Sequence, residues 1–208
     1  MNLSELPCRT LAIVRGGDRD AALRTVLALA EEGITAIEVS LTTREALWVI
    51  ERARRVLGPH ADLGAGTVLT AEDATRAADA GAGFLVTPAV VENHRWGTAQ
   101  NLPLLMGALT PTEVATAVDR GAYAVKLFPA SFSGPAYLDA LRGPFPHVPF
   151  VPVGGIDIEA ALAFLAAGAV AVGVGSPLIR DAADGGDLDE LRVRAAQWSR
   201  ALAEAVPA

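Results

Sequence analysis

From residue 10 onward, short runs rich in Val, Ile, Leu and Ala alternate eight times with longer, alanine-rich amphipathic stretches. Strands that are apolar on both faces belong to parallel sheets covered on both sides, with the intervening helices as crossovers. The pattern predicts strands at 10–15, 35–39, 62–65, 84–87, 103–106, 122–128, 149–153 and 170–174. The matching helices are predicted at 20–32, 44–56, 71–80, 92–98, 111–120, 137–141, 158–167 and 188–205. Eight such units close most naturally into a (β/α)₈ TIM barrel of class α/β, here as one domain over residues 1–208. Glycine recurs where helices should stop, in Glu31-Glu32-Gly33, Asp79-Ala80-Gly81, Asp119-Arg120-Gly121 and Ala166-Ala167-Gly168. The competing architecture, an open doubly wound sheet, would carry a Gly-x-Gly-x-x-Gly turn after a strand, and Gly64-Ala65-Gly66 alone does not supply it.

Charge and spacing narrow the function classes. A net charge of −7 leaves no basic stripe for a polynucleotide, so no nucleic-acid partner is expected. Apolar runs are short and interrupted, and the first residues lack a secretory pattern, which predicts a cytoplasmic protein with no membrane association. His60, His94 and His147 are scattered and Cys8 is the only cysteine, so neither a metal site nor a disulfide is expected, and no cofactor is implied.

The 17 basic residues comprise 16 arginines and a single lysine, Lys126, inside the apolar run Ala122-Tyr-Ala-Val-Lys-Leu-Phe-Pro129. Arginine stays protonated and cannot act as a nucleophile, whereas a desolvated lysine can attack a carbonyl. Lys126 is therefore a candidate imine-forming residue; the bland alternative is a lysine snorkelling from a strand end. Strand alternation gives it the parity of Ala124 and Phe128, pointing into the barrel if Val125 and Leu127 face the helices. Glu38, between Ile37 and Val39, enters from another strand. It is either a functional partner or a buried carboxylate that serves only to pair with Arg15 or Lys126.

Barrels keep their chemistry at the C-terminal strand ends, and commonly hold phosphate in the loops after strands seven and eight. Gly154-Gly155 and Gly175-Ser176 occupy those two loops, where small residues let backbone N–H groups approach an anion and a helical turn after Gly175 would add its positive end. Arg15 ends the first strand, well placed for a carboxylate; Thr67 is either a hydroxyl donor to the same group or a turn cap. Trp48, Trp96 and Trp198 fall in predicted helices and read as packing.

Taken together, Ile37-Glu-Val39, Gly64-Ala-Gly-Thr-Val68, Val86-Thr-Pro88, Leu109-Thr-Pro-Thr-Glu113, Lys126-Leu-Phe-Pro-Ala130, Phe150-Val-Pro-Val-Gly-Gly-Ile156 and Val172-Gly-Val-Gly-Ser176 resemble the bacterial 2-keto-3-deoxy-6-phosphogluconate (KDPG) and 4-hydroxy-2-oxoglutarate aldolases. The resemblance implies a class I aldolase acting on a small phosphorylated keto acid and assembled as a homotrimer. It implies Lys126 as the imine lysine, Glu38 as general acid/base, Arg15 and Thr67 as carboxylate binders, Thr87, Pro88 and Phe128 as pocket walls, and Gly154, Gly155, Gly175 and Ser176 as the phosphate site. Many members have Glu-Val-Thr-Leu-Arg where this chain has Glu38-Val-Ser-Leu-Thr42, and Arg15 is the expected replacement. Met106-Gly107 stands where Pro-Gly is usual and Ala89 where glycine is common, two differences expected to touch the pocket. The stretch 128–137 looks closer to relatives that cleave the phosphogalactonate epimer. A phosphate-binding barrel isomerase or synthase would share the glycine loops but would need no imine.

Overall fold

The computed structural model describes residues 1–92, 96, 99 and 101–205. Its strands are β1 (Thr10–Val14), β2 (Ala36–Ser40), β3 (Leu63–Gly66), β4 (Leu85–Val86), β5 (Leu104–Ala108), β6 (Ala124–Leu127), β7 (Phe150–Pro152) and β8 (Val172–Val174). All pair in parallel in the order β7-β6-β5-β4-β3-β2-β1-β8. A single parallel bridge, Val153 to Gly173, joins the two ends and makes the sheet a barrel. The helices are α1 (Arg19–Glu31), α2 (Ala46–Leu57), α3 (Ala71–Asp79), α4 (Pro111–Asp119), α5 (Gly134–Arg142), α6 (Ile158–Ala166), the short α7 (Ser176–Ile179) and α8 (Leu188–Ala205). This is the expected (β/α)₈ barrel. The helix expected over 92–98 lies outside the described residues for the most part; within it, Trp96 is buried in the outer core.

Local chemistry sets the element ends. Asp18 and Asp157 accept from the backbone N–H groups of Ala21 and Ala160, and Thr70/Asp73 and Thr110/Glu113 form reciprocal capping boxes. The four glycines expected to stop helices all adopt the left-handed conformation that ends a helix without a Cβ penalty. Helix α5 runs from Gly134 to Arg142, longer than expected, because Pro135 in its first turn pre-sets a helical φ instead of breaking it.

Strand parity divides the core in two. Ala12, Val14, Ile37, Val39, Leu63, Ala65, Leu104, Met106, Val125 and Leu127 face the helices. Leu11, Ile13, Ala36, Phe84, Val86, Leu105, Ala124, Val151, Val153 and Ala171 fill the barrel interior. Leu3, in the first of two short 3₁₀ turns before β1, and Leu6, extended between the two turns, join the interior set and plug the barrel at the N-terminal ends of its strands. Met106, expected at the pocket, belongs to the outer layer; it is Gly107 that faces inward, in register with Lys126. Below the strand C-termini the barrel is solid and apolar, so the polar inward residues collect at one end.

Candidate active site

Lys126 on β6 and Glu38 on β2 project inward from opposite walls, as strand alternation predicts. Lys126 Nζ lies 3.9 Å from Glu38 Oε1 and 5.4 Å from the centre of the Phe128 ring. Both side chains are nearly inaccessible, at 8% and 1%. The separation is too long for a hydrogen bond. Glu38 Oε2 is buried with no hydrogen-bond partner. Burial raises the Glu38 carboxyl above the usual carboxylate range, and the opposing pull of Lys126 and Arg15 only partly offsets it. A carboxyl raised in this way is suited to both giving and taking a proton during a reaction.

Glu38 fits because β3 offers no side chain at its C-terminal end: a Cβ on Gly66 would lie 2.3 Å from Glu38 Oε1. Gly66 was legible only as part of a glycine-rich motif, and its steric role needed the structure. Gly107 plays a similar part on β5, where a Cβ would fall 2.2 Å from the Pro88 carbonyl carbon. Thr87, expected as a pocket wall, is fully buried and spends its hydroxyl on backbone: Oγ1 donates to Ala89 O at 2.6 Å and accepts from Gly107 N–H at 3.1 Å. It ties the ends of β4 and β5 together, while Pro88 remains partly exposed above it.

Thr67, just beyond β3, has φ +61°, an outlier for a β-branched residue. Its Oγ1 lies 2.9 Å from Ser40 Oγ, which is 2.8 Å from Thr42 Oγ1. Sequence reasoning passed over Ser40 and Thr42 as partners of Thr67, because hydroxyl residues near a strand end carry no special signal.

A cleft of about 730 Å³ opens beside Phe128, whose ring centre lies 5.4 Å from Lys126 Nζ. Its walls include Arg15, Phe128, Gly154, Gly155, Gly175 and Ser176, so one of the two expected carboxylate binders shares an opening with the expected phosphate groups, while Lys126, Glu38, Thr67, Thr87 and Pro88 are not among its walls. Gly154 and Gly155 have φ +105° and +71°, values that favour glycine and turn the β7–α6 connection around the cleft. Helix α7 begins immediately after Gly175, as expected. Arg180 also reaches the cleft; among so many arginines the sequence did not mark it. Among the described residues, no three His, Cys, Asp or Glu side chains gather in a way that would hold a metal ion.

Residues 5–193 match the family model described as KDPG and KHG aldolase. The chain belongs to this family. Its members are lyases that cleave carbon–carbon bonds, and this chain is one of them. It is 40% identical over 152 residues to a 2-dehydro-3-deoxy-phosphogluconate aldolase of Pseudomonas aeruginosa, covering 72% of this chain and 69% of the relative. It is 34% identical over 198 residues to the 2-dehydro-3-deoxy-6-phosphogalactonate aldolase of Escherichia coli, covering 94% and 95%. Among solved structures, KDPG aldolase from Legionella pneumophila, with pyruvate captured as a covalent carbinolamine, superposes with a TM-score of 0.82 at 26% identity, covering 94% of this chain and 95% of that one.

Proposed function

We propose that this member of the family cleaves 2-keto-3-deoxy-6-phosphogluconate to pyruvate and glyceraldehyde 3-phosphate through an imine on Lys126. The observation that carries the reading is the approach of the chain's one lysine to Glu38, 3.9 Å apart and buried above the apolar barrel interior, at the end that carries the glycine-lined cleft. The carbinolamine captured in the Legionella relative supports the same chemistry here.

The unprotonated Lys126 amine adds to the C2 ketone, and protonated Glu38 gives its proton to the departing hydroxyl, so that loss of water from the carbinolamine leaves a protonated imine, an electron sink for the next step, and a Glu38 carboxylate. Glu38, directly or through a water, takes the proton of the C4 hydroxyl. The C3–C4 bond breaks, its electron pair flows into the imine to give an enamine, and the C4 carbon leaves as the aldehyde of glyceraldehyde 3-phosphate. Protonation of the enamine at C3 and hydrolysis of the imine release pyruvate and restore the amine. Arg15 and the Thr67 hydroxyl bind the carboxylate, Pro88 and Phe128 wall the pocket, and Gly154, Gly155, Gly175 and Ser176 receive the phosphate with backbone N–H groups and a hydroxyl.

The phosphogalactonate epimer is the second reading, favoured by the near full-length match to the E. coli relative. Turnover of the two epimers and of 4-hydroxy-2-oxoglutarate, followed by pyruvate release, ranks them. Highest kcat/KM for the gluconate epimer is the expected result, and its reversal would transfer the assignment. We also infer a cytoplasmic homotrimer on the family resemblance, for which light scattering should give three chains per particle.

A further inference from the structure

We propose that Ser40 and Thr42 are positioning residues that polarise the Thr67 hydroxyl toward the substrate carboxylate, through a one-way chain of hydroxyl hydrogen bonds. The inference rests on the aldolase reading above, because it needs a carboxylate at Thr67. Ser40 Oγ is fully buried at the end of β2, 2.8 Å from Thr42 Oγ1 and 2.9 Å from Thr67 Oγ1. The Thr42 backbone N–H also points to it, at 3.4 Å.

A hydroxyl has one proton to donate and two lone pairs to accept with. The three hydroxyls thus hold three protons. Two are spent inside the chain, so only one can be offered outside it, at the Thr67 end or at the Thr42 end. Ser40 is saturated in either arrangement, with one bond donated and two accepted, so the internal count does not fix the direction. A bound carboxylate does, since it only accepts. When it takes the Thr67 proton, Thr67 must accept from Ser40 and Ser40 from Thr42, and each donated bond strengthens the next.

Two observations fit this role. Thr67 is held in the left-handed region by its neighbours: Leu41 N–H donates to Gly66 O at 2.8 Å and Val68 N–H to Val86 O at 3.1 Å. Backbone strain of this kind is retained where the surroundings over-determine a position. Thr42, at the other end, lines the cleft. With its proton committed inward, Thr42 presents only lone pairs there. It can accept from a substrate hydroxyl but cannot donate to an anion.

The test measures the pyruvate concentration giving half-maximal borohydride trapping on the full chain, with methyl pyruvate, which has no carboxylate charge, as the comparison ketone. Ser40→Ala should raise the pyruvate value about threefold and shrink the preference for pyruvate over the ester by a similar factor, because the Thr67 bond to the carboxylate stays in place but loses the donor behind it. Ser40→Thr, which restores the hydroxyl, should bring it back to the wild-type value, and the surface variant Thr42→Val should raise it by a smaller factor than Ser40→Ala. An unchanged pyruvate value in Ser40→Ala or in Thr42→Val overturns the chain. So does equal loss for acid and ester, which indicates general damage to the mouth. Absence of any adduct from the wild-type chain overturns the aldolase reading itself, and the inference with it.

Discussion

Replacing Gly66 by alanine should disable turnover while leaving the barrel folded. The added Cβ would lie 2.3 Å from Glu38 Oε1 and 2.7 Å from Glu38 Cδ, roughly 1 Å inside ordinary contact. The backbone at Gly66 is not left-handed, so the effect is steric alone. The atoms that must yield are the end of one side chain, which places the folding cost near the low end for overpacking, about 1 kcal/mol. In a chain of this length that lowers the melting temperature by about 2–4 °C. The carboxyl, however, moves by about 1 Å relative to the substrate, an error that costs on the order of 10²-fold in rate. Pyruvate-releasing turnover should therefore fall about a hundredfold. End-point borohydride trapping should persist, because Lys126 stands on the opposite wall, on β6. Turnover within about twofold of wild type would refute both the fit of Glu38 against Gly66 and the proton-transfer role built on it.

Other substitutions separate chemistry from scaffold. Glu38→Gln should lose at least about 10²-fold in turnover while still admitting some pyruvate adduct, and Lys126→Arg should lose both; full turnover by either mutant contradicts its role. Because burial raises the Glu38 carboxyl, the acidic limb of kcat/KM should lie above the ordinary glutamate value of about 4.3 and rise with pH as the carboxylate forms. The same shift adds stability that is full below the unfolded value and is lost as pH climbs through the folded one, so the melting curve should show the opposite slope over that window. Arg54 donates to the carbonyls of Gly58, Pro59, Ala61, Leu63 and Gly81, pinning the α2–β3 and α3–β4 connections far from the mouth. Arg54→Ala should cost at least about 2 kcal/mol, about 4–8 °C in melting temperature, with KM unchanged; a melt within 1 °C of wild type, about the noise of such scans, dismisses the pin.

The barrel was legible because its constraints are local and repeated. Apolar runs and amphipathic stretches recur eight times with glycine stops after four of the helices, and parity alone assigned the inward faces of Lys126 and Glu38. The same parity was available at Met106 and Gly107, where register with β6 turns the glycine inward and the methionine out. Motif position suggests a pocket role for both, and alternation removes it from Met106 alone. What stayed hidden depends on residues distant in sequence. The plug of Leu3 and Leu6 needs the closed barrel to define its target. The Ser40–Thr67 contact spans 27 positions and joins adjacent strands at a point no propensity marks. The resemblance implies Thr87 as a pocket wall, and what it could not show is that the Thr87 hydroxyl is taken up by the backbone of Ala89 and of Gly107 on the neighbouring strand.

The central claim is a covalent bond to a single amine, and intact mass after incubation with pyruvate and borohydride tests it directly. With only one lysine in the chain, the N-terminus is the sole competing primary amine. One reduced-pyruvate adduct per chain, mapped to Lys126 and absent from Lys126→Arg, is the predicted result. Folded protein that gains no mass, or gains it only at the N-terminus, would contradict the imine mechanism and leave the glycine-lined cleft to a chemistry that needs no covalent intermediate.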